Sequence, residues 1–170
     1  EGPTLENALY AYAGCPEGFV YRPVNRLDKG TSGLMLAART AHAQHLLQRL
    51  LHGSEFIREY LAVVEGAPPQ TEGADGKPAR TYYRVLETLG GRSLLRLRLD
   101  TGRTHQIRVH LSALGCPVAG DFLYGTELDS LPGRFALHSA LVRLRHPVTG
   151  EWIERESPLP SELSVLMGHE

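Results

Sequence analysis

The chain has 170 residues, which is enough for one domain, and its 42% hydrophobic and 22% charged residues are the ordinary balance of a globular protein. No apolar run approaches the ~20 residues that a membrane-spanning helix needs, and a net charge of −1 excludes a uniformly basic surface. Two cysteines without a CxxC pair or a secretory signal are typical of reduced thiols, so we expect a cytoplasmic protein with no membrane attachment.

The first part of the chain is predicted to contain two helices and two strands. Thr4 is a candidate N-cap for an amphipathic helix over residues 4–13, although Asn7 stands where a capping box has Glu or Gln. The Gly- and Pro-rich residues 14–23 indicate a loop, and the apolar residues 34–39 indicate a buried strand. The next predicted elements are a helix with a leucine stripe over residues 41–52 and a strand over residues 56–65.

The rest of the chain is predicted to be rich in strands. Residues 67–78 hold Pro, Gly and acidic residues, which favour a surface loop. The elements predicted after it are a hairpin over residues 80–88 and 92–100, a helix over residues 104–114 capped by Thr104, strands over residues 135–145 and 151–156, and a helix over residues 161–167 capped by Ser161. Since strands outnumber helices and several form hairpins, we expect an α+β fold with a mixed, largely antiparallel sheet.

The basic residues are almost all arginines, which can fork onto phosphates and stack on bases. Only Lys29 and Lys77 are lysines. Two stretches concentrate the basic residues: Arg22, Arg26, Lys29 and Arg39 in one, and Arg96, Arg98, Arg103 and Arg108 in the other. If the fold brings these stretches together, a chain of net charge −1 still has a basic cleft; the alternative is a set of solvated surface charges.

Residues 25–34 (NRLDKGTSGL) are a turn that is unusually dense in functional groups. A loop held at the start of a strand is a common place for catalysis, and Asp28 is its only carboxylate. The alternative is a structural turn in which Asp28 accepts backbone N–H bonds.

Two further stretches carry polar groups at ordered positions. Residues 58–66 (REYLAVVEG) form a predicted strand in which Tyr60 faces either a site or the core. Residues 99–111 (LDTGRTHQIRVHL) lead through a glycine turn into a helix, whose N-terminus suits phosphate. His105, Arg108 and Ser112 share one face of that helix, apart from its apolar stripe.

These three stretches together resemble the RluA branch of the pseudouridine synthases. Residues 25–34 are similar to its HRLDxxTSGL motif, residues 58–66 to KxYxAxVxG, and residues 101–110 to TGRTHQIRVH. Later positions also resemble the family's blocks, namely Pro117, Gly120-Asp121, Tyr124-Gly125 and Leu137-His138. The resemblance spans roughly residues 20 to 160, and three motifs in the right order make it specific.

The resemblance implies a function, a fold and roles for several residues. The function is the isomerisation of uridine in RNA to pseudouridine, and the fold is the pseudouridine synthase fold, with helices and loops around a central cleft. Asp28 matches the essential carboxylate, which acts either as a nucleophile or as a base on a ribose proton. Arg108 matches the residue that pairs with this carboxylate, and Tyr60 the tyrosine that packs against the base. Arg26 matches a residue that fills the gap left by a flipped nucleotide; Lys29, Arg103 and His105 are further expected RNA contacts.

The resemblance also sets expectations about partners and domains. Because the bond exchange needs neither redox chemistry nor a metal, we expect no cofactor and no metal site. We expect a monomer that binds ribosomal or transfer RNA, and a single catalytic domain over residues 1–170 without a separate RNA-binding domain. Two positions depart from the family pattern: Asn25 replaces its usual His and cannot carry a proton, and Arg58 replaces Lys and keeps the charge.

Three other classes of function compete with this interpretation. A serine hydrolase would use Ser32, but the surrounding sequence is not GxSxG. A metal enzyme would use His105, His110 and His138, of which the first two are splayed apart at i, i+5 on one helix. A non-catalytic RNA-binding module or RNA chaperone is the third; an Asp in a basic cleft speaks against it, because the carboxylate repels phosphate.

Overall fold

In the computed structural model, the described residues are 4–51, 53–69, 74–76 and 79–169. Within them lie seven strands: β1 (Ser32–Gly33), β2 (Phe56–Glu65), β3 (Ala74–Gly76), β4 (Ala79–Leu89), β5 (Arg92–Leu99), β6 (Leu137–Arg145) and β7 (Trp152–Glu156). They form one mixed sheet in the order β1-β6-β2-β5-β4-β3, with β7 paired to β6. Only β1 and β6 pair in parallel, so the expected mixed, largely antiparallel sheet is confirmed.

Four helices flank the sheet in the described part of the chain. They are α1 (Leu5–Tyr12), α2 (Ala41–Leu50), α3 (Gln106–Ala113) and α4 (Ser161–Ser164), and a 3-10 turn, Val165–Met167, continues α4. The Thr4 cap of α1 is confirmed, and Asn7 completes a capping box because its side chain accepts from the Thr4 N–H at 3.0 Å. The predicted end of α2 at residue 52 lies outside the described residues.

Strand β2 is central, since it pairs with β5 on one side and β6 on the other. The predicted hairpin is confirmed as β4 and β5, joined by Gly90 and Gly91. Both glycines have positive φ, of 59° and 81°, as a two-residue hairpin turn requires. The leucines of β5 pack with residues of α3 in the main core, whose members include Val63, Tyr83, Leu95, Leu97, Ile107 and Leu111. The sheet and α3 therefore form the layers between which the core lies.

Residues 34–39 are not the continuous buried strand that their apolar character predicts. The regular strand is limited to Ser32–Gly33, and the following residues are half-buried. This segment changes partner instead: the Leu34 N–H donates to the Ser139 carbonyl at 2.9 Å, and the Leu36 carbonyl accepts from the Val24 N–H at 2.8 Å. Because no single segment pairs with residues 34–39 along their whole length, they do not form a regular strand.

Three other local predictions are corrected. The predicted loop 67–78 contains strand β3, which pairs with β4; residues 70–73 and 77–78 lie outside the described residues. Thr104 does not cap α3, because the cap position is His105 in the left-handed conformation with a φ of 56°. Ser161 is the first helical residue of α4, and Pro160 precedes it at the cap position.

In the described part of the chain, no helix is long and apolar enough to cross a membrane.

Candidate active site

All three motif stretches meet in one cleft of about 270 Å³. The loop before β1 contributes Asp28, strand β2 contributes Tyr60, and the first turns of α3 contribute Arg108. The convergence follows from the topology, because β1 and β2 both flank β6, and α3 is hydrogen-bonded to β4 of the same sheet. Segments that are far apart in the sequence thus present polar groups to one concave surface, the usual form of a ligand site.

The loop that carries Asp28 is held in place by close packing at two glycines and by one buried asparagine. Gly33 has a φ of 103°, and a Cβ there would collide with the backbone of Ser139. A Cβ at Gly30 would collide with the Phe135 ring. Asn25 is buried, and its side-chain oxygen accepts from the Leu36 N–H at 2.9 Å. Asn25 therefore anchors the loop without any proton transfer, as expected for this departure from the family pattern.

Arg108 is held between two carboxylates. Its Nε and Nη2 atoms donate to Asp121 at 2.6 and 2.8 Å, and its Nη1 lies 3.5 Å from Asp28 Oδ2. The expected pairing with Asp28 is therefore present, but the shorter and bidentate partner is Asp121. Arg108 is 2% exposed, so its positive charge is fixed beside Asp28 with little freedom to move away.

Asp121 is the functional residue that sequence reasoning gave no role. It is fully buried and also accepts from the N–H groups of Leu123 and Tyr124 at 3.0 and 3.1 Å. Burial alone raises the pKa of Asp121, but the hydrogen bonds from Arg108 and from these two N–H groups outweigh it, so the pKa lies below its ordinary value. The Asp121 hydrogen bonds in turn raise the pKa of Arg108. The only signal in the sequence was the Gly-Asp pair in a later block of the family pattern.

Aromatic rings enclose the Arg108 guanidinium. Its central carbon lies 4.1 Å from the ring centre of Phe135, 5.1 Å from that of Tyr124 and 5.8 Å from that of Phe122. These rings exclude water from the ion pair and add cation–π attraction. The carboxylates and the rings together fix the position of Arg108.

Tyr60 lies on the same face of β2 as Arg58, two residues away, and both line the cleft. Tyr60 is 6% exposed. Burial raises the pKa of its hydroxyl; the charge of Arg58 opposes this shift and the charge of Asp28 adds to it. At neutral pH the hydroxyl is therefore protonated, in a position within electrostatic reach of Asp28.

The start of α3 is organised by side chains and not by a cap. Gln106 Oε1 accepts from the Thr101 hydroxyl at 2.7 Å and from the Arg103 N–H at 3.2 Å. His105 and Ser112 share a face, as predicted: His105 is hydrogen-bonded to the Tyr124 hydroxyl at 3.1 Å, and the Ser112 hydroxyl donates to the Tyr124 carbonyl at 2.9 Å. That face binds the loop that carries Asp121.

The basic residues expected at the site divide into two groups. Arg26, Arg103 and His105 line the cleft, whereas Lys29 is exposed and is not among the lining residues. Arg96 and Arg98 are exposed on β5, where they alternate with the buried Leu95 and Leu97 and so face away from the cleft. Of the second arginine stretch, Arg103 and Arg108 therefore line the cleft, whereas Arg96 and Arg98 fit the alternative of solvated surface charges.

Ser32 and His138 form a hydrogen-bonded pair at 2.9 Å, but outside the cleft. The second ring nitrogen of His138 lies 3.3 Å from the Ser157 carbonyl. Burial lowers the pKa of His138, so the ring is neutral at pH 7. The pair links the Asp28 loop to β6, which is a structural role and not that of a hydrolase nucleophile.

The three histidines of the metal-enzyme interpretation do not share a site. His105 is bonded to Tyr124, His138 to Ser32, and His110 to the Thr81 hydroxyl at 2.8 Å. Among the described residues, no group of three potential ligands is arranged to hold a metal ion.

Comparison with known proteins adds family and fold relationships. A family model described as RNA pseudouridylate synthase matches residues 6–113. An uncharacterized RNA pseudouridine synthase of Chloroflexus aurantiacus is 41% identical, over 96% of this chain and 59% of that protein. The ribosomal large subunit pseudouridine synthase D of Haemophilus ducreyi is 36% identical, over 98% of this chain and 61% of that protein.

A solved structure has the same fold. Human RNA pseudouridylate synthase domain containing 1 superposes with a TM-score of 0.73 at 30% identity, over 91% of this chain and 74% of that chain. The α+β architecture around the cleft is therefore the one that this human protein has. The chain spans 59% to 61% of the length of the two bacterial relatives.

Proposed function

We propose that this chain, which belongs to the RNA pseudouridylate synthase family, isomerises uridine in RNA to pseudouridine with Asp28 as the catalytic carboxylate. The observation that carries the proposal is the Asp28–Arg108 ion pair at 3.5 Å, in a cleft lined by all three motif stretches. A cleft built only to bind phosphate gains nothing from a carboxylate, whereas a cation fixed beside a catalytic carboxylate keeps it ionised and oriented.

The reaction exchanges one glycosidic bond for another. The N1–C1′ bond of uridine breaks, the uracil rotates, and C5 bonds to C1′; the proton on C5 leaves and N1 gains a proton. Asp28 acts either as a nucleophile at C1′ or as a base that removes a ribose proton. Its side chain is 18% exposed, so it is accessible from the cleft in either role.

Tyr60 is proposed to pack against the uracil and to assist the loss of the C5 proton. Its place on the cleft face of β2 supports contact with the base. Because burial raises the pKa of its hydroxyl, Tyr60 enters the reaction protonated and takes part by hydrogen bonding and packing. Arg108 holds the Asp28 carboxylate in place throughout.

The target nucleotide has to leave its stack to enter the cleft, since a stacked base cannot reach a carboxylate at this depth. We propose that Arg26, exposed at the edge of the cleft, fills the gap that the nucleotide leaves. Arg103 and His105 also line the cleft and are proposed to contact the RNA backbone; Lys29, which is exposed outside the lining, is proposed to contact RNA as well. A monomeric state stays a prediction.

Ribosomal RNA is the first substrate class to test. The support is the name of the Haemophilus ducreyi relative, a ribosomal large subunit enzyme that is 36% identical to this chain. Transfer RNA is the other class to test, and selection of a particular uridine is proposed to depend on RNA shape at the cleft.

The test is release of tritium from RNA labelled at C5 of uridine. Ribosomal and transfer RNA are purified separately from cells that lack the gene, so that target sites are unmodified, and each is incubated with the protein. We expect release from ribosomal RNA and recovery of pseudouridine in the same molar amount. Release from neither RNA, with RNA binding intact, would favour the RNA-binding module instead.

A further inference from the structure

Arg58 is a buried cation in the cleft that the proposed mechanism does not use. It is 7% exposed and lines the cleft next to Tyr60 on β2. Its guanidinium lies 5.5 Å from the ring centre of Phe56. On the other side it lies against Gly102, where a Cβ would be 2.9 Å from Nη1 and 3.3 Å from Nη2. The guanidinium therefore occupies its position because residue 102 has no side chain.

Arg58 has no anionic partner in the described part of the chain. Within residues 4–51, 53–69, 74–76 and 79–169, no carboxylate lies within ion-pair distance of it, and its buried Nε makes no hydrogen bond. Arg108, by contrast, is bonded to Asp121 and paired with Asp28. A guanidinium stays charged at any physiological pH, and burying an uncompensated charge is costly.

A ligand that brings its own negative charge removes this cost. Guanidinium and phosphate groups match in geometry and form two parallel N–H···O bonds. Since the cleft is proposed to receive a nucleotide, a phosphodiester beside that nucleotide is an anion that necessarily arrives with the substrate. Arg58 lines the same cleft as Asp28 and Tyr60, and its guanidinium lies against Gly102.

We propose that Arg58 binds a phosphate group adjacent to the target uridine and so positions the nucleotide over Asp28 and Tyr60. The inference rests on the proposed function, because it names the part of the nucleotide that this wall of the cleft recognises. Arg58 is a positioning and binding residue and takes no part in the bond exchange.

The test compares four small ligands that differ only in their phosphates: uridine, uridine 3′-monophosphate, uridine 5′-monophosphate and uridine 3′,5′-bisphosphate. Dissociation constants are measured by NMR titration of the full chain and of Arg58→Gln. We expect Arg58→Gln to weaken bisphosphate binding about tenfold or more, the effect of a lost charge-assisted pair, and to leave uridine binding unchanged. The two monophosphates identify which phosphate is bound.

Two further variants separate the specific contact from general effects. Arg98→Gln removes an exposed arginine of the same sheet that faces away from the cleft, and we expect no change for any of the four ligands. Gly102→Ala leaves the Arg58 charge in place but forces the guanidinium to move. It should weaken bisphosphate binding several-fold and leave uridine binding unchanged. If Arg58→Gln does not fold, this variant still tests whether Arg58 binds the phosphate.

Several outcomes would overturn the proposal. In one, wild-type protein binds the bisphosphate no more tightly than uridine. In a second, Arg58→Gln weakens uridine binding as much as bisphosphate binding, which indicates a structural role. In a third, Arg98→Gln has the same effect as Arg58→Gln, which indicates unspecific charge. None of these measurements requires turnover, so an absence of tritium release would refute the synthase function separately.

Discussion

The Asn substitution at Asp121 removes one negative charge from the buried ion pair and keeps the size of the side chain. Breaking a buried pair by removing one partner costs ~3–5 kcal/mol, because the remaining charge is left without compensation. Here Asp28 stays 3.5 Å from Arg108, and the Asn oxygen can still accept from the Leu123 and Tyr124 N–H groups. We therefore expect the lower end of the range, about 3 kcal/mol.

Thermal unfolding measures this cost directly. For a domain of this size, about 3 kcal/mol lowers Tm by roughly 6–12 °C. The matched control is Glu55→Gln, which removes an exposed partner of Arg145 and should change Tm by at most ~2 °C. A loss of less than ~2 °C for Asp121→Asn would contradict a role of Asp121 in stabilising the position of Arg108.

The pH dependence of the same variant provides a sign test. The folded-state pKa of Asp121 is lowered, so the contribution of its charge is complete above the unfolded-state value of ~3.9 and is lost as the pH falls through the folded-state pKa. The stability difference between wild type and Asp121→Asn should stay constant from pH 7 to ~5 and shrink below ~4. A difference that grows on acidification would contradict a lowered pKa.

Two further predictions concern the Asp28 loop and the edge of the cleft. Gly33→Ala should lower the free energy of unfolding by at least ~2 kcal/mol, because the φ of 103° and the Ser139 backbone both exclude a Cβ; Gly14→Ala, where φ is also positive but the space is open, should cost clearly less in urea titrations. Arg26→Ala should lower kcat/KM for RNA more than Lys29→Ala, because only Arg26 lines the cleft; equal losses would indicate that both act through long-range charge.

The regular helices and strands were predictable because the spacing of apolar residues follows the period of each element. Alternating Leu and Arg residues in β5 define a buried and an exposed face, and Gly90-Gly91 marks a two-residue turn. The leucine stripe predicted α2 from the helical period in the same way.

Residues 34–39 were mispredicted because periodicity reports burial and not pairing. An apolar run has the same sequence pattern whether it pairs with one strand along its whole length or with two different segments. Here Leu34 is hydrogen-bonded to Ser139, and Leu36 to Val24. The left-handed backbone conformation of His105 could not be predicted from the sequence either. A non-glycine residue with positive φ is held by tertiary contacts, such as the hydrogen bond to Tyr124.

At the site, the motifs identified Asp28, Tyr60 and Arg108, and the cleft brings these residues together. The role of Asp121 was not predictable, because it depends on burial and on a bidentate contact with a residue thirteen positions earlier. The sequence left open whether Arg96 and Arg98 contribute to a basic cleft or are solvated surface charges, and strand alternation directs them to the face away from the cleft.

The catalytic role of Asp28 is tested most directly by Asp28→Ala beside wild type, with tritium release from C5-labelled ribosomal RNA and RNA binding measured on the same preparations. The proposed function predicts that the variant binds RNA and releases no tritium, because the carboxylate is needed for bond exchange and not for affinity. Release by the variant at the wild-type rate would contradict the assignment of Asp28 as the catalytic residue.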